Sequence, residues 1–95
     1  MEMKEEMGWN EIVAEIEKRL NTSRADVRDG IDCFFLVTVP EGKAELYFRW
    51  NVKLVTKEPK VEIRPIKWHK SGGSKELVEK IRESLSDLNL TFVND

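Results

Sequence analysis

The sequence predicts an α+β fold in which two helices pack on one face of a three-stranded antiparallel sheet, in the order α-β-β-β-α. Three observations predict it: a helical apolar spacing near the N-terminus, alternating apolar and polar residues in the middle, and a second helical spacing after them. A chain of 95 residues has room for one hydrophobic core. We therefore expect a single compact domain over residues 1–95.

The first helix is predicted over residues 9–21, where apolar side chains recur at the spacing of one helical face and charged residues lie opposite. Gly8 or Asn10 suits the capping position before it. Met3 and Met7 continue the apolar stripe, so an earlier start also fits the pattern. The apolar set consists of Trp9, Ile12, Val13, Ile16 and Leu20.

Two strands are predicted in the middle of the chain, on either side of the turn PEGK at residues 40–43. The polar stretch NTSRADVRDG before them predicts a loop. Apolar residues then occupy every second position from Ile31 to Val39, and again from Ala44 to Leu54. Each run therefore predicts a strand with one buried face.

The alternation also predicts how these two strands pair. If residues 40–43 form the whole hairpin loop, Phe35 lies opposite Phe48 and Cys33 lies opposite Trp50. Every apolar residue then meets an apolar partner on the same face, which a slip by one residue would destroy.

A third strand is predicted over KVEIRPIKW, residues 60–68, and a second helix follows it. Because proline has no N–H to donate to a neighbouring strand, we expect an edge strand with a bulge or bend near Pro65. Before the proline, Val61 and Ile63 are expected to face inward; after it, the inward-facing apolar residues are expected to be Ile66 and Trp68. The tail NLTFVND predicts a short strand or a docked extension. The helix has Ser74 or Ser71 as its cap and an apolar face made of Leu77, Val78, Ile81, Leu85 and Leu88.

The cysteine and histidine content excludes several kinds of site. One cysteine cannot form an intramolecular disulfide, and Cys33 with His69 cannot supply the roughly four ligands of a zinc site. Cys33 lies on the predicted buried face, where a thiol is inert, so the two residues do not predict a catalytic pair. We expect no enzymatic activity, no catalytic residue, no metal and no cofactor.

The composition also bears on location and stability. No apolar run is long enough to cross a membrane, and the N-terminal MEMKEEMGW lacks a hydrophobic signal core, so we expect a cytoplasmic protein without membrane contact. Charged residues form 36% of the chain and glutamine is absent, a usage typical of thermostable proteins. The net charge of −2 provides no overall polycation for a nucleic acid.

The loop KSGGSK, which opens the second helix, lies in a basic segment. A glycine-rich turn at a helix N-terminus suits an anion such as phosphate. A cap formed by Ser74 explains the same residues without a ligand, and the spacing is not that of a P-loop. The candidate contacts for an anion or a nucleic acid are Arg64, Lys67, His69, Lys70, Ser74 and Lys75.

The predicted order of elements, with Lys70 and Lys75 at the start of the last helix, resembles the double-stranded RNA-binding domain. The resemblance implies that the start of this helix contacts phosphates across an RNA groove. The loop between the first two strands reads VPEGKA in place of the family's Gly-Pro-x-His type of loop. The last helix reads LVEKIRESL, without the family's alanine-rich face. We therefore treat the resemblance as an analogy of topology.

A second candidate surface is the sheet face that the helices leave open. There Phe34 and Leu36 are expected opposite Arg49 and Tyr47, with Val55 as a further candidate, although such a face is usually polar. Isolated surface residues, a protein-binding surface or a base-stacking platform each explain this patch, and the acidic chain disfavours the last. We expect a non-enzymatic structural or protein-interaction domain that acts through this face or the edge strand, with a protein partner or self-association. The alternative is nucleic-acid binding through residues 64–75.

Overall fold

The chain folds into a five-stranded mixed sheet with two helices on one face, and the predicted α+β class is confirmed. The structure, a computed structural model, describes residues 7–54 and 58–93. Strands β1 to β4 form an antiparallel meander, and β5 pairs in parallel with β4. The elements are α1 (Trp9–Leu20), β1 (Arg24–Arg28), β2 (Asp32–Val39), β3 (Gly42–Arg49), β4 (Lys60–Trp68), α2 (Gly73–Ser84) and β5 (Thr91–Phe92).

Two of these strands lie outside the predicted meander of three. The C-terminal strand predicted from NLTFVND is present as β5, whereas β1 forms within the stretch predicted as a loop. Arg24 occupies a helix-facing position of β1 and binds Glu17 of α1 through hydrogen bonds of 3.1 Å from Nε and Nη2. A polar residue therefore takes the place where the alternation rule expects an apolar one. The two added strands also depart from the α-β-β-β-α order shared with the double-stranded RNA-binding domain.

Strands β2 and β3 pair two residues away from the predicted register. Val39 lies opposite Gly42, so only Pro40 and Glu41 form the turn, and Phe35 faces Leu46 in place of Phe48. A shift by two keeps every side chain on its predicted face, because the period of a strand is two. Gly42 has φ +150°, and a Cβ there would collide with the Lys67 carbonyl oxygen of β4.

The apolar alternation in β3 ends earlier than predicted. The strand stops at Arg49, and the Asn51 side chain then accepts a hydrogen bond of 3.0 Å from the Lys53 amide in a turn. Val52 and Leu54, which were predicted to face the core, are exposed as a result. Met3 and Val55 lie outside the described residues.

The predicted bulge in β4 is present next to the proline. Pro65 pairs with Ala44 while Lys67 pairs with Lys43, so Ile66 is an extra residue in the ladder. Ile66 and Trp68 were predicted to be the inward-facing apolar residues after Pro65. This prediction is wrong, since Ile66 is 51% exposed and Trp68 is 43% exposed. β5 pairs with the first two residues of β4, so the edge prediction is also wrong at that end.

The helices bury one face of the sheet. Trp9 of α1 packs edge-on against Phe48 of β3, with ring centroids 5.9 Å apart. Neither described helix is long and apolar enough to cross a membrane. The core consists of Trp9, Ile12, Val13, Ile16, Leu20, Cys33, Phe35, Val37, Ala44, Leu46, Phe48, Val61, Ile63, Leu77, Ile81 and Leu85.

Candidate functional site

The side of the sheet away from the helices, which we call the outer face, carries the alternate side chains of β2, β3 and β4. Register partners share a face, so the pairing identifies its members. Ala25 and Arg28 of β1 extend the same face beyond β2. Its other residues are Asp32, Phe34, Leu36, Thr38, Lys43, Glu45, Tyr47, Arg49, Lys60, Glu62, Arg64 and Lys67.

An aromatic pair lies at the centre of the outer face. Phe34 and Tyr47 are register partners whose rings stack with centroids 5.7 Å apart at an angle of 25°. The Arg64 guanidinium lies 4.6 Å from the centroid of Tyr47, and the tyrosine hydroxyl donates a 3.2 Å hydrogen bond to Glu45. These contacts hold both rings in place, so the centre of the outer face is a rigid apolar surface with a polar border.

A concave site adjoins this pair where β1 curls beside β2. Asp26 has φ 47°, and the ladder between β1 and β2 is interrupted between Ala25 and Arg28, so residues 26 and 27 bulge. The bulge forms one wall of a cleft of about 550 Å³, which we call the outer cleft. Its lining includes Asp26, Val27, Arg28, Phe34, Tyr47 and Arg49.

The structure brings together three of the four residues predicted as the interaction patch. Phe34, Tyr47 and Arg49 all line the outer cleft. Leu36 lies on the same face, is 53% exposed and is not among the lining residues. Because the register differs by two, Phe34 faces Tyr47 and Leu36 faces Glu45, which corrects the predicted partners Arg49 and Tyr47.

The charged groups at the rim of the outer cleft are partly neutralised. Arg28 donates a 2.9 Å hydrogen bond from Nε to Asp32, and a second from Nη2. These bonds lower the pKa of Asp32, and attraction to Arg49 acts in the same direction. Asp32 is thus held as a carboxylate by Arg28, whereas Arg49 forms no ion pair with any described residue.

The outer face as a whole is positively charged although the chain is not. It carries the six cations Arg28, Lys43, Arg49, Lys60, Arg64 and Lys67, and the three carboxylates Asp32, Glu45 and Glu62, a net charge of +3. The whole chain has 16 cationic and 18 acidic residues, so the remaining residues carry ten cations and fifteen carboxylates, a net charge of −5. The outer face is therefore a region of positive potential on a chain whose net charge is negative.

The structure divides the basic segment between two places. Arg64 and Lys67 lie on the outer face, within β4. His69 and Lys70 lie in the loop that follows, and Ser74 and Lys75 are in the first turn of α2. The six residues predicted as one anion site are therefore not brought together around the helix start.

The loop before α2 uses its own polar groups. The amides of Gly72 and Gly73 donate to the His69 carbonyl over 3.3 and 3.0 Å, and the His69 ring donates from Nε2 to the Pro40 carbonyl over 2.6 Å. The Glu76 carboxylate lies against Gly72, where a Cβ would collide with it. The capping residue is Gly72, without a side-chain cap bond from the described residues, so the prediction of a Ser74 or Ser71 cap is wrong.

Sequence reasoning missed the wall of the outer cleft. Asp26, Val27 and Arg28 fall within the predicted loop, because a short bulged strand has no alternation of apolar and polar residues. One signal was present: Arg28 and Asp32 have opposite charges on either side of the Asp29–Gly30 turn, as expected for the two arms of a hairpin. The sequence also does not predict that Lys43 lies opposite Lys67, or that Lys60 lies opposite Arg49, since both pairings depend on the register.

Comparisons with protein-family models, with curated proteins and with solved structures found no match to the chain. The function proposed below is therefore inferred from the chemistry of the outer face and the outer cleft.

Proposed function

We propose that this chain is a non-enzymatic protein-interaction domain that binds a segment of a partner protein on its outer face. The outer cleft is the single observation that carries the proposal, because it places two aromatic rings and Arg49 around a cavity of about 550 Å³. Tyrosine and arginine are among the residues that contribute most to binding at protein interfaces. A cavity of this size accommodates one large side chain of the partner as an anchor.

The arrangement of the anchors supports rigid-body binding. Tyr47 is held between Phe34 and Arg64, and each ring is half-buried in the sheet. Side chains that are already ordered lose little conformational entropy when a partner covers them. Burial of the exposed Leu36 beside them would add apolar contact area to the same interface.

A separate partner is favoured over a second copy of the chain. Two copies related by a twofold axis would place one outer face of net charge +3 against another, and like charges across an interface oppose association. The protein is accordingly expected to be monomeric in solution. We also propose a cytoplasmic location, since the free thiol of Cys33 is compatible with a reducing compartment.

Nucleic-acid binding through residues 64–75 is the alternative function. Arg64 and Lys67 on the positively charged outer face favour it. The start of α2 opposes it, because the Glu76 carboxylate lies where a phosphate would approach the helix and the glycine amides already have an acceptor. We therefore place it second.

Selection from a random peptide library tests the proposed function. Peptides of about twelve residues, which span about 40 Å when extended, would be selected on the purified wild-type protein. We expect enriched peptides that no longer bind Phe34→Thr/Tyr47→Thr, a variant that removes both rings while keeping good strand formers. The control Ile66→Thr/Val93→Thr changes two exposed apolar residues away from the outer cleft and should retain binding.

Circular dichroism and thermal unfolding would first establish that each variant is folded. If the double threonine variant does not fold, the exposed single substitution Arg49→Glu takes its place. The proposal is contradicted if no peptide is enriched, or if the enriched peptides bind the folded variants as well as the wild type. If the wild type is a dimer and the double threonine variant is a monomer, the proposal of a separate partner is wrong.

A further inference from the structure

Two pairs of like charges lie at opposite ends of the outer face. Arg49 is the register partner of Lys60, and Lys43 is the register partner of Lys67. Residues directly opposite on antiparallel strands have Cβ atoms about 5 Å apart, and like charges at such positions are destabilising. All four side chains are exposed on the same face of the sheet.

The middle of the same ladder is arranged differently. Glu45 lies opposite Arg64, and Arg64 donates a 3.2 Å hydrogen bond to Glu62. Within residues 7–54 and 58–93, by contrast, none of the four cations at the two ends forms an ion pair. Charge is therefore balanced at the centre of β3 and β4 and unbalanced at both ends.

We propose that the two cationic pairs bind carboxylates of the partner, so that the ligand of the outer face is an extended acidic polypeptide segment. This inference rests on the proposed function and names the chemistry of the partner. The charge of the face supports it, since an acidic segment would relieve the repulsion in both pairs at once. Asp32 of β2, which lies opposite Arg49 and attracts it, is bonded to Arg28, and no described carboxylate forms an ion pair with any of the four cations.

The spacing of the pairs defines the segment. Lys43 and Arg49 are six residues apart in one strand, which corresponds to about 20 Å at about 3.4 Å per residue. An extended ligand covers that distance with six residues of its own, and its residues i and i+6 point to the same side. The outer cleft adjoins Arg49, so a large apolar side chain is expected close to one of the two acidic residues.

The carboxylates between the pairs favour a polypeptide over a nucleic acid. A phosphate backbone carries a charge about every 3.4 Å along each strand, so it would place phosphates over Glu45 and Glu62. A polypeptide can instead place neutral or basic residues there and keep its acidic residues for the two ends.

Reversing one charge in each pair tests the inference. In Lys60→Glu/Lys67→Glu, both pairs become pairs of opposite charge, and the sites for the ligand are lost. The control Lys70→Glu/Lys75→Glu makes the same change in net charge at exposed lysines outside the outer face. The probes are the peptides selected on the wild type and a mixed-sequence single-stranded RNA of similar length.

We expect the selected peptides to be enriched in Asp and Glu with a spacing near i, i+6. Their affinity should fall by roughly tenfold or more in Lys60→Glu/Lys67→Glu, because the charge pairs with the ligand are lost at both ends, and stay within about twofold in the control. Peptides that bind through Phe34 and Tyr47 but show no acidic enrichment, or are indifferent to the charge reversal, would overturn this inference and leave the proposed function intact. RNA binding that Lys60→Glu/Lys67→Glu abolishes, and that exceeds peptide binding at physiological salt, would overturn it in favour of a nucleic acid.

Discussion

Single residues of the outer face are paired in a way that opposes stability. Lys60 lies directly opposite Arg49 although a carboxylate there would form an ion pair across the strands. Glu62, two residues along β4, lies opposite Tyr47 and receives a hydrogen bond from Arg64, so the sheet does use its carboxylates where they balance charge. Repulsion at positions 49 and 60 is a local violation of good pairing, and such violations concentrate at functional sites.

Lys60→Glu is predicted to stabilise the fold. Replacing a pair of like charges by a pair of opposite charges should raise the free energy of unfolding by about 0.2–1 kcal/mol at low salt. Urea unfolding of the variant and the wild type measures the difference, which should shrink in about 1 M NaCl, where the Debye length is about 3 Å. A destabilised variant would show that Lys60 has a structural contact that the charges do not explain.

Cys33 is predicted to resist thiol reagents in the folded protein. It is 4% exposed, and burial raises the pKa of its thiol to about 12, so little thiolate exists near neutral pH. Reaction with an aromatic disulfide reagent at pH 8 should follow the rate of unfolding. Rapid labelling of the native protein would contradict the position of Cys33 in the core.

The elements show which features of the fold could be predicted from the sequence. The faces of β2 and β3 were predicted correctly, because a period of two is fixed by the pleat and survives any even slip. The register was not, because it depends on whether two or four residues form the turn, and both choices keep the same residues on the buried face. Strand β1 was missed because an ion pair between Arg24 and Glu17 replaces apolar contact.

The candidate site was predicted in part for the same reasons. Phe34, Tyr47 and Arg49 could be predicted because the alternation of each strand places them on the face that the helices leave open. The outer cleft could not be predicted, since its wall is the β1 bulge at Asp26 and Val27. At the start of α2, the Glu76 carboxylate and the His69 carbonyl occupy the positions and the amides that an anion would need.

The start of α2 gives a prediction at this scale. Ser74→Ala should change the free energy of unfolding by less than about 0.5 kcal/mol, since no side-chain cap bond of the described residues is lost. Gly73→Ala should destabilise the protein by about 1–2 kcal/mol, because Gly73 has φ 69° and a side chain there adopts a left-handed conformation. Urea unfolding compares the two. A larger loss for Ser74→Ala would restore it as the cap.

At the scale of the whole molecule, ion pairs connect the helices to the rest of the fold. Arg19 of α1 binds Asp87 after α2, and Arg24 of β1 binds Glu17 of α1. Hydrogen bonds from Arg24 lower the pKa of Glu17 below its ordinary value of 4.5. Ion pairs between elements contribute more to stability at high temperature, because the cost of desolvating their charges falls as the temperature rises.

Acid is predicted to weaken these connections. A group whose folded pKa is lowered stabilises the protein above its unfolded pKa, and that contribution disappears as the pH falls through the folded pKa. The Tm should therefore fall below about pH 4.5, the ordinary value for Glu17. Glu17→Gln should lower the Tm at pH 7, and its difference from the wild type should shrink as the pH is lowered below 4.5. A constant difference across this range would show that Glu17 does not contribute through its charge.

The charge distribution of the molecule leads to the central claim, which is that the outer face binds a partner segment. The most direct measurement is a titration of ¹⁵N-labelled protein with the tightest selected peptide, followed by amide chemical shifts. We predict the largest changes in β2, β3 and the start of β4, around Phe34, Tyr47, Arg49 and Lys60, with small changes in α1 and α2. Shifts that instead cluster at His69, Lys70 and Lys75 before α2, or an absence of shifts on the outer face, would contradict the account.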